Sequence, residues 1–233
     1  MKDFNEFEEK IGVVFKDKDL LKQAFIHRSY LNEHPRTGLA HNERLEFLGD
    51  AVLELAVTDY LYQTFPDKTE GDLTSYRAAL VNTGSISRGA QDLEMNRYLL
   101  LSKGEAKDTG KAREYILANT FESVIGAIYL DRGYGAAEKF ITKYLLPYLK
   151  DILEHQLWQD AKSHFQEEAQ ERVGVTPLYK VLGEAGPDHE KEFTVGVFLK
   201  ADLVAEGRGR SKQDAEQEAA RQALHERGWG KKK

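Results

Sequence analysis

No cysteine occurs among the 233 residues, which excludes disulfides and thiolate metal sites. That fits a reducing compartment, and a cytoplasmic location is expected. No apolar run approaches the length of a membrane span. The first residues, Met1-Lys2-Asp3-Phe4-Asn5-Glu6, are of mixed charge with no apolar signal region, so no membrane partner is expected. The seven histidines show no spacing such as H-E-x-x-H. There is no P-loop, no G-x-S-x-G and no intact G-x-G-x-x-G. Acidic residues outnumber basic ones, and a net charge of −6 argues weakly against a nucleic-acid partner. Its distribution reverses that argument. Residues 1–155 carry 20 basic and 25 acidic side chains, a net of −5, whereas residues 207–233 carry 8 and 4, a net of +4. A basic end on an acidic body suits a chain that separates binding from chemistry. At 41% hydrophobic and 31% charged, the chain can bury the core of one large domain, or of a large and a small one.

What is present centres on Asn42 to Asp50, N-E-R-L-E-F-L-G-D. At 3.6 residues per turn, Glu43, Glu46 and Asp50 share one helical face. Leu45, Leu48, Val52 and Leu55 share another. Like charges on one face weaken a helix, and a divalent cation is the simplest group to offset them. Oxygen donors without His or Cys suit Mg²⁺, with Mn²⁺ as a substitute.

Helical periodicity governs everything before residue 155. It predicts helices near 4–14 and 20–25, then one from Asn42 to Gln63 stopped before Pro66. Another should run from Glu70 towards Leu93 or Met95, broken at Gly84 or Gly89. The polar stretch Ser102–Arg113, with Lys103, Lys107, Lys111 and Arg113, reads as a mobile surface loop able to touch phosphate. A helix over Ile116–Asp131 should follow, carrying Asn119 and Glu122 on one face and the small residues Ala118, Gly126 and Ala127. An amphipathic helix over Ala136–Leu153, interrupted at Pro147, ends this part. The pattern then changes. A helix face at Phe165, Ala169 and Val173 precedes strand-like Leu178–Leu182, alternating Phe193, Val195 and Val197, and a strand beginning at Leu203 and Ala205. Ser211-Lys212-Gln213-Asp214 reads as a capping box before a last helix. The fold class is therefore an all-α domain followed by a small α+β (α-β-β-β-α) domain, with Trp158 expected to pack between them and Trp229 expected to do little.

If the two acidic helices cross, with Gly49 and Gly126 permitting close approach, Glu43, Glu46, Asp50, Asn119 and Glu122 offer four or five converging oxygen ligands. Such a cluster suits metal-assisted phosphodiester hydrolysis, with one ion activating water and a second about 3.5–4 Å away stabilising the leaving oxygen. A carboxylate-bridged oxidase would need Glu-x-x-His pairs, and none occurs.

Asn42–Asp50 resembles the signature of the ribonuclease III family. His27-Arg28-Ser29-Tyr30, Glu70-Gly71-Asp72-Leu73 and Phe121-Glu122-Ser123-Val124-Ile125-Gly126-Ala127 match the same pattern in order. The C-terminal part resembles the double-stranded-RNA-binding domain of bacterial members. The resemblance implies a catalytic domain over 1–155, an RNA-binding domain over 160–228 and a basic tail over 229–233. It implies a Mg²⁺-dependent homodimer that cuts duplex RNA, in rRNA and mRNA processing and decay, to 5′-phosphate and 3′-hydroxyl ends with two-nucleotide 3′ overhangs. Asp50 and Glu122 would be catalytic, and Glu46, Asp50, Asn119 and Glu122 would serve the metal. Glu43 and Glu70 would line the substrate valley, and Phe47 would plug into a socket on the partner subunit. Asn119 departs from the usual Asp. Its amide oxygen can ligate but brings no charge, which keeps open an alternative: a non-catalytic duplex-RNA-binding protein with a degenerate nuclease domain.

For the second domain, A-form RNA offers 2′-hydroxyls in shallow minor grooves flanking a narrow major groove. Gln166 and Gln170 on the first helix, and Pro187 and His189 in the first hairpin loop, are candidates for successive minor grooves. Arg210, Ser211 and Lys212 at the start of the last helix are candidates for the phosphates between. Gln213 stands where the family usually has a second lysine, removing one phosphate contact.

Overall fold

The computed structural model describes residues 2–36, 38–154, 158, 160–186 and 191–229. They form two compact units, Met1–Trp158 and Gln159–Lys233. Among the described residues, no helix is long and apolar enough to cross a membrane.

The first unit is helical: α1 Phe4–Ile11, α2 Lys18–Ala24, α3 Arg28–Glu33, α4 Glu43–Thr64, α5 Glu70–Leu80, α6 Thr83–Asp92, α7 Lys111–Arg132, α8 Tyr134–Tyr144 and α9 Pro147–Glu154. Its centre is α7, which buries Leu117, Phe121, Val124, Ile125 and Ile128 on nearly every side. Against it lies α4, whose Leu45, Val52, Leu53, Ala56, Val57 and Leu61 face inward. Leu55, which shares a face with Leu45 and Val52 in the sequence pattern, is 57% exposed. It lies outside the set Leu45, Gly49, Val52, Leu53, Ala56, Val57 and Leu61 that α4 buries.

Some boundaries differ from the sequence expectation. The break between α5 and α6 falls at Val81–Asn82, where the Asn82 side chain caps α6 by accepting from Ser85 N–H at 3.0 Å. It does not fall at Gly84 or Gly89, both of which lie within α6; at Gly89 a Cβ would lie 3.2 Å from the Phe121 ring, so a glycine suits the packing there. Helix α7 begins at Lys111 rather than near Ile116, since its first turn is solvated and carries no apolar signal. The stretch before it holds a 3-10 turn at Glu105–Lys107, and Arg113 is tied to Asn96 Oδ1 and Glu105 O, both at 2.7 Å. Arg113 is thus committed to structure rather than displayed for phosphate.

The second unit has α10 Ala161–Val173, β1 Leu178–Ala185, β2 Glu192–Leu199, β3 Asp202–Gly209 and α11 Lys212–Glu226. The sheet is antiparallel in the order β1-β2-β3. Val195 opposes Val181 and Gly207, and Val197 opposes Tyr179 and Ala205. Gly207 and Gly209 allow α11 onto β3: a Cβ at Gly207 would stand 2.1 Å from Ala219 N, and one at Gly209 2.5 Å from Ala215 N. The Ser211 side chain caps α11 by accepting from Asp214 N–H at 3.1 Å.

Trp229 corrects the sequence reading, and Trp158 has a partner within the first unit. Trp158 packs edge-on against Tyr76 of the first unit, with centroids 4.8 Å apart. Trp229 is 9% exposed and stacks on Phe165 at 5.6 Å, closing the second core. It follows a polar helix end, where no periodicity could announce it.

Candidate active site

Backbone contact between α4 and α7 builds the site. A Cβ on Gly49 would lie 1.7 Å from the Glu122 carbonyl oxygen, and one on Gly126 would lie 2.2 Å from the Leu45 carbonyl oxygen. Only glycine fits either position, so the two helices touch main chain to main chain. That contact draws Glu46 and Asp50 of α4 towards Asn119 and Glu122 of α7.

The electrostatics register the crowding. Burial pushes the Glu122 carboxyl up to about 8, and the negative charges of Asp50, Glu46 and Glu54 push in the same direction. Glu46 is also raised, first by burial and then by Glu43 and Asp50, while a hydrogen bond from the Asn119 amide opposes the shift. Asn119 therefore holds Glu46 by its side chain. Among the described residues, no group of three or more His, Cys, Asp or Glu is closed into a metal-holding arrangement. By chemistry and charge the set nonetheless fits a hard divalent cation: all its donors are oxygens, and its negative charge is compensated so poorly that Glu122 resists ionisation.

Glu43 stands at the rim, with Arg28 Nη1 3.8 Å from its Oε1 and His41 Nδ1 3.7 Å from its Oε2. A cleft of about 330 Å³ opens there, lined by His27, Arg28, Glu43, Glu46, Tyr115 and Asn119 among others. Burial lowers the His27 pKa, with Glu105 and Glu43 raising it and Arg28 and Arg113 lowering it by smaller amounts.

Not every candidate joins this cluster. Within one chain Glu70 stands apart from it: its carboxylate accepts from Thr74 Oγ1 at 3.1 Å and lines a different hollow, with Tyr62, Lys68 and Arg77. Glu54, which the sequence reading passed over, acts on Glu122 and pairs with Arg77 at 3.0 Å. Its position, four residues after Asp50 on the same helical face, was the signal available. Phe47 is 81% exposed, an apolar ring presented to solvent one residue from Glu46.

In the second unit, Gln166 and Gln170 lie on the exposed side of α10, and Gln170 donates to Thr176 Oγ1 at 3.3 Å. Arg210 is exposed before α11. Lys212 Nζ stands 3.6 Å from Glu184 and 5.6 Å from the Phe193 ring centroid. Ser211 Oγ accepts the capping bond from Asp214 N–H and keeps its own O–H to donate. Pro187 and His189 lie outside the described residues.

Comparison with known proteins adds independent findings. Residues 17–149 match a family model described as ribonuclease-III-like, and residues 161–227 match one described as a double-stranded RNA binding motif. A ribonuclease 3 of Pelotomaculum thermopropionicum is 47% identical over 93% of this chain and 90% of its own length. One of Enterococcus faecalis is 44% identical over 94% and 95%. Among solved structures, the nuclease domain of ribonuclease III from Campylobacter jejuni aligns with 62% of this chain and 97% of its own, at 38% identity and a TM-score of 0.57.

Proposed function

The chain belongs to the ribonuclease III family, with a nuclease domain joined to a double-stranded-RNA-binding domain, and from that premise we propose a Mg²⁺-dependent, homodimeric mode of action for this endoribonuclease. It cuts duplex RNA in the cytoplasm, in rRNA and mRNA processing and decay. The ends left are 5′-phosphate and 3′-hydroxyl, with two-nucleotide 3′ overhangs.

One observation carries the reading. Glu122 is forced beside Glu46 and Asp50 by a glycine-to-glycine helix contact, in surroundings that penalise its charge. A fold gains nothing in stability from pressing carboxylates together without a counter-charge. When bound, Mg²⁺ would supply that charge, polarise the scissile phosphodiester and acidify the attacking water; Mn²⁺ would substitute. Glu46, Asp50 and Glu122 would hold the ion, and Asn119 fixes Glu46 through its amide while its own oxygen remains a neutral donor. Glu43 orients what enters from the rim. Phe47 enters the partner subunit, which would remove an exposed ring from water. Glu70 is assigned to the substrate valley, outside the cluster its own chain forms. In the second unit, Gln166, Gln170, Pro187 and His189 meet minor grooves, and Arg210, Ser211 and Lys212 meet phosphates, Ser211 through backbone N–H.

The test uses the full chain and a long RNA duplex. Cutting with Mg²⁺, and binding without cutting with Ca²⁺, is expected. Glu122→Gln should lose at least about a hundredfold in cleavage rate and bind the duplex as before. Normal cutting by Glu122→Gln would remove the metal assignment, and tight binding by the wild type with no cutting in Mg²⁺ would remove the proposed chemistry.

A further inference from the structure

The His27-Arg28-Ser29-Tyr30 motif supplies no carboxylate, yet the fold sets it beside the carboxylate cluster. His27 and Arg28 form one wall of the cleft whose other walls include Glu43, Glu46 and Asn119. The wall is firmly mounted. His27 N–H donates to Leu100 O at 3.1 Å, and Ser29 Oγ accepts from Ser102 N–H at 3.1 Å. Ser29 N–H donates to His27 Nδ1 at 3.3 Å, and Ser29 Oγ lies 2.8 Å from the same nitrogen. With Nδ1 accepting, a neutral ring carries its proton on Nε2.

An RNA strand brought to Glu43, Glu46, Asp50 and Glu122 is an anion approaching anions. A divalent ion offsets charge at the scissile phosphate but not at the phosphates beside it. Among the described residues lining the cleft, Arg28 is the one permanent cation. Its side chain is 72% exposed and its Nη1 stands 3.8 Å from Glu43, too far for a hydrogen bond and worth little in water. It is held near the site without being consumed there, and its planar fork matches a phosphate.

Resting on the reading that duplex RNA is the substrate, we propose that Arg28 and His27 form a subsite for a backbone phosphate adjoining the scissile one. Arg28 exchanges its loose contact with Glu43 for two non-bridging phosphate oxygens, and His27 Nε2–H donates a further hydrogen bond. Arg28 thereby positions the strand and takes no part in bond breaking.

The test is single-turnover cleavage by the full chain, in Mg²⁺, of a short hairpin with one cutting site. In separate substrates, each phosphate within two nucleotides of that site is replaced singly by a neutral methylphosphonate. At one position the wild type should slow about tenfold. Arg28→Gln should slow about tenfold on the unmodified hairpin and lose nothing further from the methylphosphonate at that position. Arg28→Lys, which keeps the charge and guards against a folding defect, should remain sensitive to it. Losses that multiply at every position, or an Arg28→Gln enzyme as fast as the wild type, would overturn the subsite while leaving the endonuclease reading intact. A wild type that cuts no duplex would overturn both.

Discussion

Replacing Gly49 by alanine adds one methyl group at the closest point between α4 and α7. That Cβ would sit 1.7 Å from Glu122 O, 2.6 Å from Glu122 C and 2.9 Å from Gly126 N. All three are main-chain atoms, so no side-chain rotation relieves the overlap. To restore contact at 3.4 Å the helices must part by about 1.5–2 Å, and a close-packed interior does not yield that cheaply. Overpacking of this kind costs about 3 kcal/mol or more, which lowers Tm by about 6–12 °C for a unit of this size. The same parting carries Glu122 away from Glu46 and Asp50, so Mg²⁺-dependent cleavage should fall even below the new Tm. Gly135→Ala is the control: it adds the same methyl in α8, where nothing lies within 4 Å, and should be neutral or slightly stabilising. Thermal denaturation followed by helical circular dichroism, with cleavage rates at 25 °C, reads both effects. A Gly49→Ala protein with wild-type Tm and wild-type cleavage would refute the claim that this contact assembles the site.

The remaining predictions concern charge and the second unit. Because the Glu122 carboxyl is raised from 4.5 to about 8 in the folded chain, the unfolded state releases this proton first. Stability without divalent cations should therefore decline from about pH 4.5 to about pH 8; Glu122→Gln should flatten that decline in EDTA, and parallel Tm–pH curves for the two proteins would contradict the assignment. Lys212→Ala should weaken duplex binding and reduce the slope of log K against log salt by about one, leaving the cut ends unchanged; end mapping and a salt titration check this. Trp229→Ala removes a ring stacked on Phe165 and should destabilise the second unit by about 3 kcal/mol, seen as loss of protection in hydrogen exchange confined to residues 160–229.

Much of the site was legible because two signals agreed. Glu43, Glu46 and Asp50 recur at helical spacing, and Gly49 and Gly126 mark where two helices touch. Neither signal needs knowledge of distant residues beyond the assumption that the helices cross. What escaped was decided by tertiary contact. Gly89 reads as a helix breaker, yet the Phe121 ring occupies the space a side chain would need, and the break goes to Asn82, whose cap is a local hydrogen bond. Lys111 to Glu114 carry no apolar period, so the solvated first turn of α7 resembled a loop. Glu70 matched a family pattern, but pattern order carries no distance, and within the chain it faces another hollow. Trp229 lies beyond the last periodic residue, and only the packed core shows that it is needed.

The proposed chemistry requires carboxylates of α4 and α7 to share a divalent cation. Anomalous diffraction from crystals of the full chain grown with Mn²⁺ tests this most directly. The expected result is a manganese peak bound by carboxylate oxygens of Glu46, Asp50 and Glu122, with the Asn119 amide oxygen bound directly or through water. Saturating Mn²⁺ with no peak between those side chains would contradict it.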